Sequence, residues 1–354
     1  MNKKQNSKSS GIVLYAKQPG CTSFSSLFTI KKALNTTKVG HTGTLDSFAE
    51  GWLVVCVGNH TRLAGKITGF SKRYEAIIAF GTETDTLEYT GNPINQTNLP
   101  TLKNLQKSLE NFTGDILHAP PAFSAVHVDG KRASDLARVG KSFEIPKRPV
   151  TVFEAKILDV IFEDEINQTV KYAKINFFVS KGTYIRCLAR DIAKDCGSSA
   201  HLIGLLRTEV GSFKLEDAVG KSLLKNFTIE NAIKNAENWK KQKNEEFSCK
   251  SKNEKTQIEI ETENKIKIDI QNSLKKMDKN LAKECDFYPV SIKKEYEDDF
   301  FTGKFLKSKC FSEEILPENR YAVFTEEGDF CGEVYLENRK IKYGFVIPKE
   351  ILAW

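Results

Sequence analysis

A chain of 354 residues with 53 Lys and Arg against 46 Asp and Glu carries a formal charge of +7. That length holds one large domain with a small one, or two of medium size, and the mild basic excess favours a polyanionic partner over an acidic small molecule. No apolar run reaches the roughly 20 residues that span a bilayer, the polar N-terminus lacks a signal-peptide core, and the eight cysteines and five histidines show no zinc-ligand spacing; the expectation is a reduced, cytoplasmic protein without a metal.

Residues 1–10 read as a polar tail and residues 11–238 as one dense α/β body. Gly11–Lys17 has the composition of a buried strand, after which Thr22 or Ser23 caps a helix carrying Leu27, Ile30 and Leu34. The stretch Gly40-His41-Thr42-Gly43-Thr44-Leu45-Asp46 then sets one carboxylate on a glycine-bracketed loop ahead of the apolar run 52–57. Such an acid either caps its own turn or is presented where backbone approaches a ligand closely. Lys72–Phe80 alternates Tyr74, Ala76, Ile78 and Phe80 on one face, which is strand periodicity. Leu102, Leu105, Leu109 and Phe112 mark an amphipathic helix ending near Gly114. Two long β runs follow, at 148–162 and 171–179, and Ser180-Lys-Gly-Thr183 opens a helix with Ile185, Leu188 and Ile192 inward. Strands and helices grouped without regular βαβ alternation predict a mixed α+β fold around a largely antiparallel sheet. Residues 239–286 are dominated by Lys, Glu, Asn and Gln and read as a charged insert or linker. Within them, alternating Ile258/Ile260 and Ile266/Ile268/Ile270 suggest a hairpin. Residues 287–354 regain short apolar runs between turns, the pattern of a small all-β module.

Five segments carry the candidate chemistry: the Asp46 loop, Lys72-Arg73-Tyr74 with Gly81–Thr86 after it, 120–125 leading into Lys131-Arg132, Ser180–Arg186, and His201–Gly211. In this order, from Gly11 to about Phe213, the chain resembles the TruB family of tRNA pseudouridine synthases. The resemblance implies a mixed α+β catalytic domain with a long sheet, often followed by a PUA-like RNA-binding β module, which 287–354 resembles loosely. It implies isomerisation of uridine to pseudouridine at position 55 of the tRNA T loop, by a monomer, with tRNA (its T-arm) as partner, no membrane and no cofactor. Residue by residue, it assigns Asp46 to attack the nucleoside, Tyr74 to pack on the uracil ring and Arg186 to pair with the aspartate. His41 falls near the extruded nucleotide, Tyr184 and Leu205 line the pocket, and Lys17 belongs to an N-terminal motif with a structural role. Departures are Gln18 for a usual proline, Ser47-Phe48 for Pro-Leu and Leu206 for an arginine.

The reaction accounts for a site with one acid. It cleaves N1–C1′, turns the base and rejoins it through C5, so nothing is oxidised or released. A glycosidase needs two carboxylates because it also handles water; here water must stay out. Arg186 would hold Asp46 ionised and oriented by a bidentate pair, and the uridine must leave its stack to be reached. Lys72, Arg73, Lys131, Arg132, Lys147, Arg148 and Lys181 are candidate phosphate contacts. The alternatives are the same chemistry on another RNA, or a non-catalytic tRNA-binding or folding protein on the same scaffold.

Overall fold

The computed structural model describes residues 9–121, 127, 128, 130–138, 145–245, 257–317 and 319–352. Its main body is a nine-stranded sheet. Strands β1 (Gly11–Lys17), β2 (Val39–His41), β3 (Glu50–Val57), β4 (Lys72–Phe80), β5 (Gly114–His118), β6 (Arg148–Asp164), β7 (Thr169–Val179) and β8 (Ala200–Val210) lie in the order β1-β3-β8-β4-β7-β6-β5, with β2 added on β3 and Phe213–Lys214 on β8. Every pairing is antiparallel except β3 with β8, which run parallel over Leu206↔Glu50 and Arg207↔Gly51. The mixed, largely antiparallel architecture expected from the element pattern is the one observed.

Alternation along β4 explains how both sheet faces are covered. Tyr74, Ala76, Ile78 and Phe80 enter one apolar cluster with Leu105 and Leu109 of helix α2 (Leu102–Asn111) and Leu188 and Ile192 of helix α3 (Ile185–Asp195). Ile77 and Ala79 point to the opposite face, against Ile229, Ala232 and Ala236 of helix α4 (Ile229–Glu245). Each fully buried Leu or Ile in these layers contributes about 1.5–3 kcal/mol. Helix α1 (Ser23–Ala33) begins where the sequence indicates, because Thr22 Oγ1 accepts the Ser25 N–H at 3.0 Å. It lays Leu27, Ile30 and Ala33 on Val13, Leu53 and Val55 of β1 and β3.

The isoleucine-rich segment is a helix, α5 (Gln257–Asn272), instead of a hairpin. Ile266 and Ile270 are four residues apart and share one helical face packed on the α1 cluster, with Ile270 fully buried, while Ile268 stays exposed. Alternation of three isoleucines fitted a strand, but the apolar surface available on α1 and β1 rewards the i,i+4 pair. After α5 the chain bonds back to the free edge of β1, Ile12 N–H to Lys275 O and Lys275 N–H to Ile12 O, both 2.9 Å, so that edge is covered. Among the described residues no helix is long and apolar enough to cross a membrane.

A separate four-stranded sheet forms the C-terminal module: β9 (Tyr288–Ser291), β10 (Arg320–Phe324), β11 (Phe330–Glu337) and β12 (Lys340–Val346), in that order. A short helix, Glu297–Phe301, adds Phe300 to its core. Ala322, Phe324 and Phe330 pack in one cluster with Trp52 and Val54 of β3, so the module is docked on the main body. His60 lies at this junction, 5% exposed and 5.5 Å from the Phe330 ring.

Candidate active site

The loop between β2 and β3 is fastened at nearly every residue, and this is what lets it present Asp46. Thr42 donates its N–H to Val54 O at 3.0 Å. Buried Ser23, the first residue of α1, donates Oγ–H to Leu45 O at 2.9 Å and accepts the Leu45 N–H at 2.8 Å. Gly20 N–H reaches Ser47 O at 2.8 Å. Behind the loop, Lys17 is fully buried and donates to the carbonyls of Gln18, Ser47 and Ala49. Burial pulls its ammonium down to about 8, and its contacts are those of a strut. Arg207, 1% exposed, bonds Trp52 O at 2.7 Å and Gly43 O at 3.3 Å. Gly43 adopts φ +108°, a conformation that favours glycine.

Against this fixed loop α3 brings its second residue. Arg186 is 5% exposed, and its Nη2 donates to Asp46 Oδ1 at 3.1 Å while Nε lies 2.9 Å from Oδ2; the carboxylate keeps 33% of its side-chain surface open. On the far side Nη1 donates to Thr86 O at 2.7 Å. Burial works against the guanidinium charge, but the nearby Asp46 and Glu88 outweigh it, and the group stands above its ordinary pKa. Glu88 is itself 9% exposed, with its pKa raised by burial despite a hydrogen bond from Thr90. The arrangement is a charged, two-point contact with one carboxylate oxygen face still accessible.

The structure brings together most of the remaining sequence candidates. Tyr74, 7% exposed, and Leu205, 4% exposed, share one apolar cluster with Leu45 and Phe48, which flank Asp46, and with Ile185 beside Arg186. Tyr184 caps α3, where its N–H is accepted by His118 Nε2 at 3.0 Å and its ring stacks on the His118 ring at 6.4 Å and 16°. His41 stands on β2 with Nδ1 buried and without a hydrogen-bond partner among the described residues; burial, then Arg207, lowers its pKa. Two cations turn out to be committed elsewhere. Lys72 Nζ donates to Thr68 O at 2.8 Å and Phe70 O at 2.6 Å, and burial with Arg207 and Lys181 lowers it to about 8. Arg73 sits on the opposite strand face from Tyr74, bound to Glu154 at 2.9 Å and Glu209 at 3.2 Å, because neighbouring strand residues point apart. Lys131 is exposed on a two-strand hairpin, and the side chain of Arg132 lies outside the described residues.

Ser23, Glu88, His118 and Arg207 support the site without having been assigned a part in it from sequence. Each acts through a partner tens of residues away or more, so no local spacing marks it. The departures find places too. Gln18 donates Nε2–H to Ala16 O at 3.1 Å and Gly220 O at 3.2 Å, bonds a proline cannot make. Phe48 packs edge-on to Tyr89, 5.9 Å between centroids, and with Glu50 and Leu205 it lines a cavity of about 450 Å³ adjoining the loop. Leu206 is buried in the cluster beneath β3.

Comparison with known proteins bears on this geometry. Residues 31–185 match the N-terminal domain of TruB family pseudouridylate synthases. The chain is 39% identical over 342 residues to the tRNA pseudouridine synthase B of Treponema denticola, covering 92% of this chain and 93% of that one. It is 45% identical over 209 residues to the protein of the same name from Borreliella burgdorferi strain ZS7, covering 59% of this chain and 72% of that one. Among solved structures, a Cbf5-Nop10-Gar1 complex matches with TM-score 0.59 at 19% identity, covering 99% of this chain and 89% of that one. An H/ACA RNP bound to a substrate RNA containing 2′-deoxyuridine matches with TM-score 0.57 at 20% identity, covering 97% and 81%. At such identity these structures speak to the fold.

Proposed function

The chain belongs to the TruB family of pseudouridylate synthases, and on that premise we propose that it isomerises uridine to pseudouridine at position 55 in the T loop of tRNA, with Asp46 as the group that acts on the nucleoside. The observation that carries the residue assignment is the two-point contact of buried Arg186 with the half-open Asp46 carboxylate. A buried guanidinium that meets both oxygens of one carboxylate keeps that group aimed, while the open third of the carboxylate leaves room for a ribose. Tyr74 and Leu205 supply the wall on which the uracil turns after N1–C1′ cleavage: the tyrosine offers a flat face to the freed ring, and the leucine excludes water that would trap the ribose. C5 then bonds to C1′ and sheds its proton while N1, freed from C1′, takes one up, and the Tyr74 hydroxyl is the candidate relay, accepting one proton as it gives up its own. Arg186, Thr86 and the Ser23–Leu45 bonds do no chemistry; they hold the carboxylate still through the base rotation.

In this reading residues 11–238 form the catalytic unit, 287–354 a PUA-like RNA grip, and the protein works as a monomer on the T-arm in the cytoplasm. His41 and Tyr184 flank the extruded nucleotide, and Lys131 and Lys181 remain exposed for phosphates. The test is C5-tritium release from uridine-labelled tRNA transcripts. Asp46→Asn is expected to bind tRNA with roughly wild-type affinity and release no label. Label release at the normal rate would remove Asp46 from the chemistry. Release from a transcript with a disrupted T loop equal to that from the intact one would remove the T-loop assignment while keeping the reaction.

A further inference from the structure

We propose that the outward face of α1 is an RNA-stacking strip, on which Phe24 and Phe28 receive unpaired bases of the same RNA whose uridine enters the Asp46 site; this rests on the function proposed above. Phe24 and Phe28 are 72% and 70% exposed, and their four-residue spacing sets both rings on one side of the helix. The inward side is occupied by Leu27, Ile30 and Ala33, and α5 closes the C-terminal flank through Gln271 Nε2–H to Ala33 O at 2.8 Å. The rings therefore belong to a face that the described residues leave open.

Charge says what kind of partner fits it. The first acidic residue of the chain is Asp46, and the 45 residues before it contain seven lysines. On α1 itself Lys31 Nζ stands 5.3 Å from the Phe24 ring centroid and Lys32 is exposed. Flat rings beside Lys31 and Lys32, on a helix that bears no carboxylate of its own, form the combination that single-stranded RNA uses: bases stack on aromatics while the backbone meets lysines. Continuity with the candidate active site says which RNA. Ser23, the neighbour of Phe24, exchanges two hydrogen bonds with Leu45, the neighbour of Asp46. A loop that gives up one base to Asp46 is thus brought alongside Phe24 with adjacent bases already unstacked, which lowers the cost of placing them on a ring.

The experiment compares wild type, Phe24→Ser/Phe28→Ser and Lys31→Gln/Lys32→Gln for tRNA Kd at several salt concentrations and for single-turnover label release. Removal of both rings is expected to raise Kd roughly tenfold or more, since stacking on one aromatic side chain is commonly worth about 1–3 kcal/mol per base. The rate constant at saturating tRNA is expected to stay within about twofold, and the thermal midpoint to hold because the rings are exposed. The lysine pair is expected to flatten the slope of log K against log salt by about 0.7 for each phosphate that is no longer neutralised. An unchanged Kd in the aromatic variant overturns the proposal. So does a concentration-dependent dimer of the wild type that the same variant abolishes at unchanged tRNA Kd, since the face would then belong to a second copy. Failure of the wild type to release label from any tRNA sinks the functional reading instead, and the two failures are read separately.

Discussion

Replacing Arg186 by lysine keeps the charge and removes the fork, and so isolates what orientation contributes. The guanidinium reaches Thr86 O at 2.7 Å and the two Asp46 oxygens at 3.1 and 2.9 Å. A lysine ammonium at the end of a flexible stem preserves one of these interactions at most. One charge-assisted hydrogen bond and the close Nε–Oδ2 ion pair, at about 1.5–3 kcal/mol each, amount to about 3–6 kcal/mol. Asp46 is 33% exposed, so water recovers part of this, and the loss falls near the lower end, about 3 kcal/mol. Expressed in the chemical step, that is a fall in single-turnover label release of about two orders of magnitude, with tRNA Kd within a few-fold of wild type because Arg186 is buried away from the RNA surface. The melting temperature should drop as well, since Thr86 O loses its partner. An Arg186→Lys enzyme that releases label within fivefold of wild type would refute the idea that a two-point contact aims the carboxylate.

Two further expectations follow from the packing. Ser23→Ala removes the hydroxyl that serves both the N–H and the C=O of Leu45; leaving two buried backbone groups unpaired should cost about 2–3 kcal/mol in denaturant unfolding and slow label release, and an unchanged unfolding midpoint would count against the anchor. His60, buried beside Phe330 with both ring nitrogens unpartnered among the described residues, is pushed down to about 4 by burial. The folded state therefore holds it neutral while the unfolded chain takes up its proton below about pH 6.5. Stability from this group is intact above pH 6.5 and is lost as pH falls to 4, by about 3 kcal/mol in total. The unfolding free energy of His60→Leu should lack that decline; parallel pH curves for the two proteins would show that His60 does not titrate as its burial dictates.

Periodicity was a sufficient guide wherever one face of an element is buried along its whole length. Tyr74, Ala76, Ile78 and Phe80 alternate because β4 lies in the middle of the sheet with a helical layer on each side. The Thr22 cap and the span of α1 were equally legible, since capping is local. Local pattern misled at 266–270, where two periods fit the same isoleucines and the choice belonged to the surface of α1. It also misled at Arg73, whose neighbour Tyr74 shares its motif but not its face.

The sequence by itself determined the family to which the chain belongs and nominated Asp46, Tyr74 and Arg186 as its reactive set, because five motifs follow one another in the family's order. Only the tertiary structure decided how the implied Arg186–Asp46 pair closes across 140 residues, with Nε 2.9 Å from Oδ2 and Nη1 anchored on Thr86 O. It alone decided that Lys72 spends its charge on carbonyls instead of phosphates, and that Phe24 and Phe28 are left in solvent beside the Asp46 loop. The physical reason is common to all three. Spacing along the chain encodes which way a side chain points from its own strand or helix, whereas what it meets there is set by elements that arrive from distant sequence.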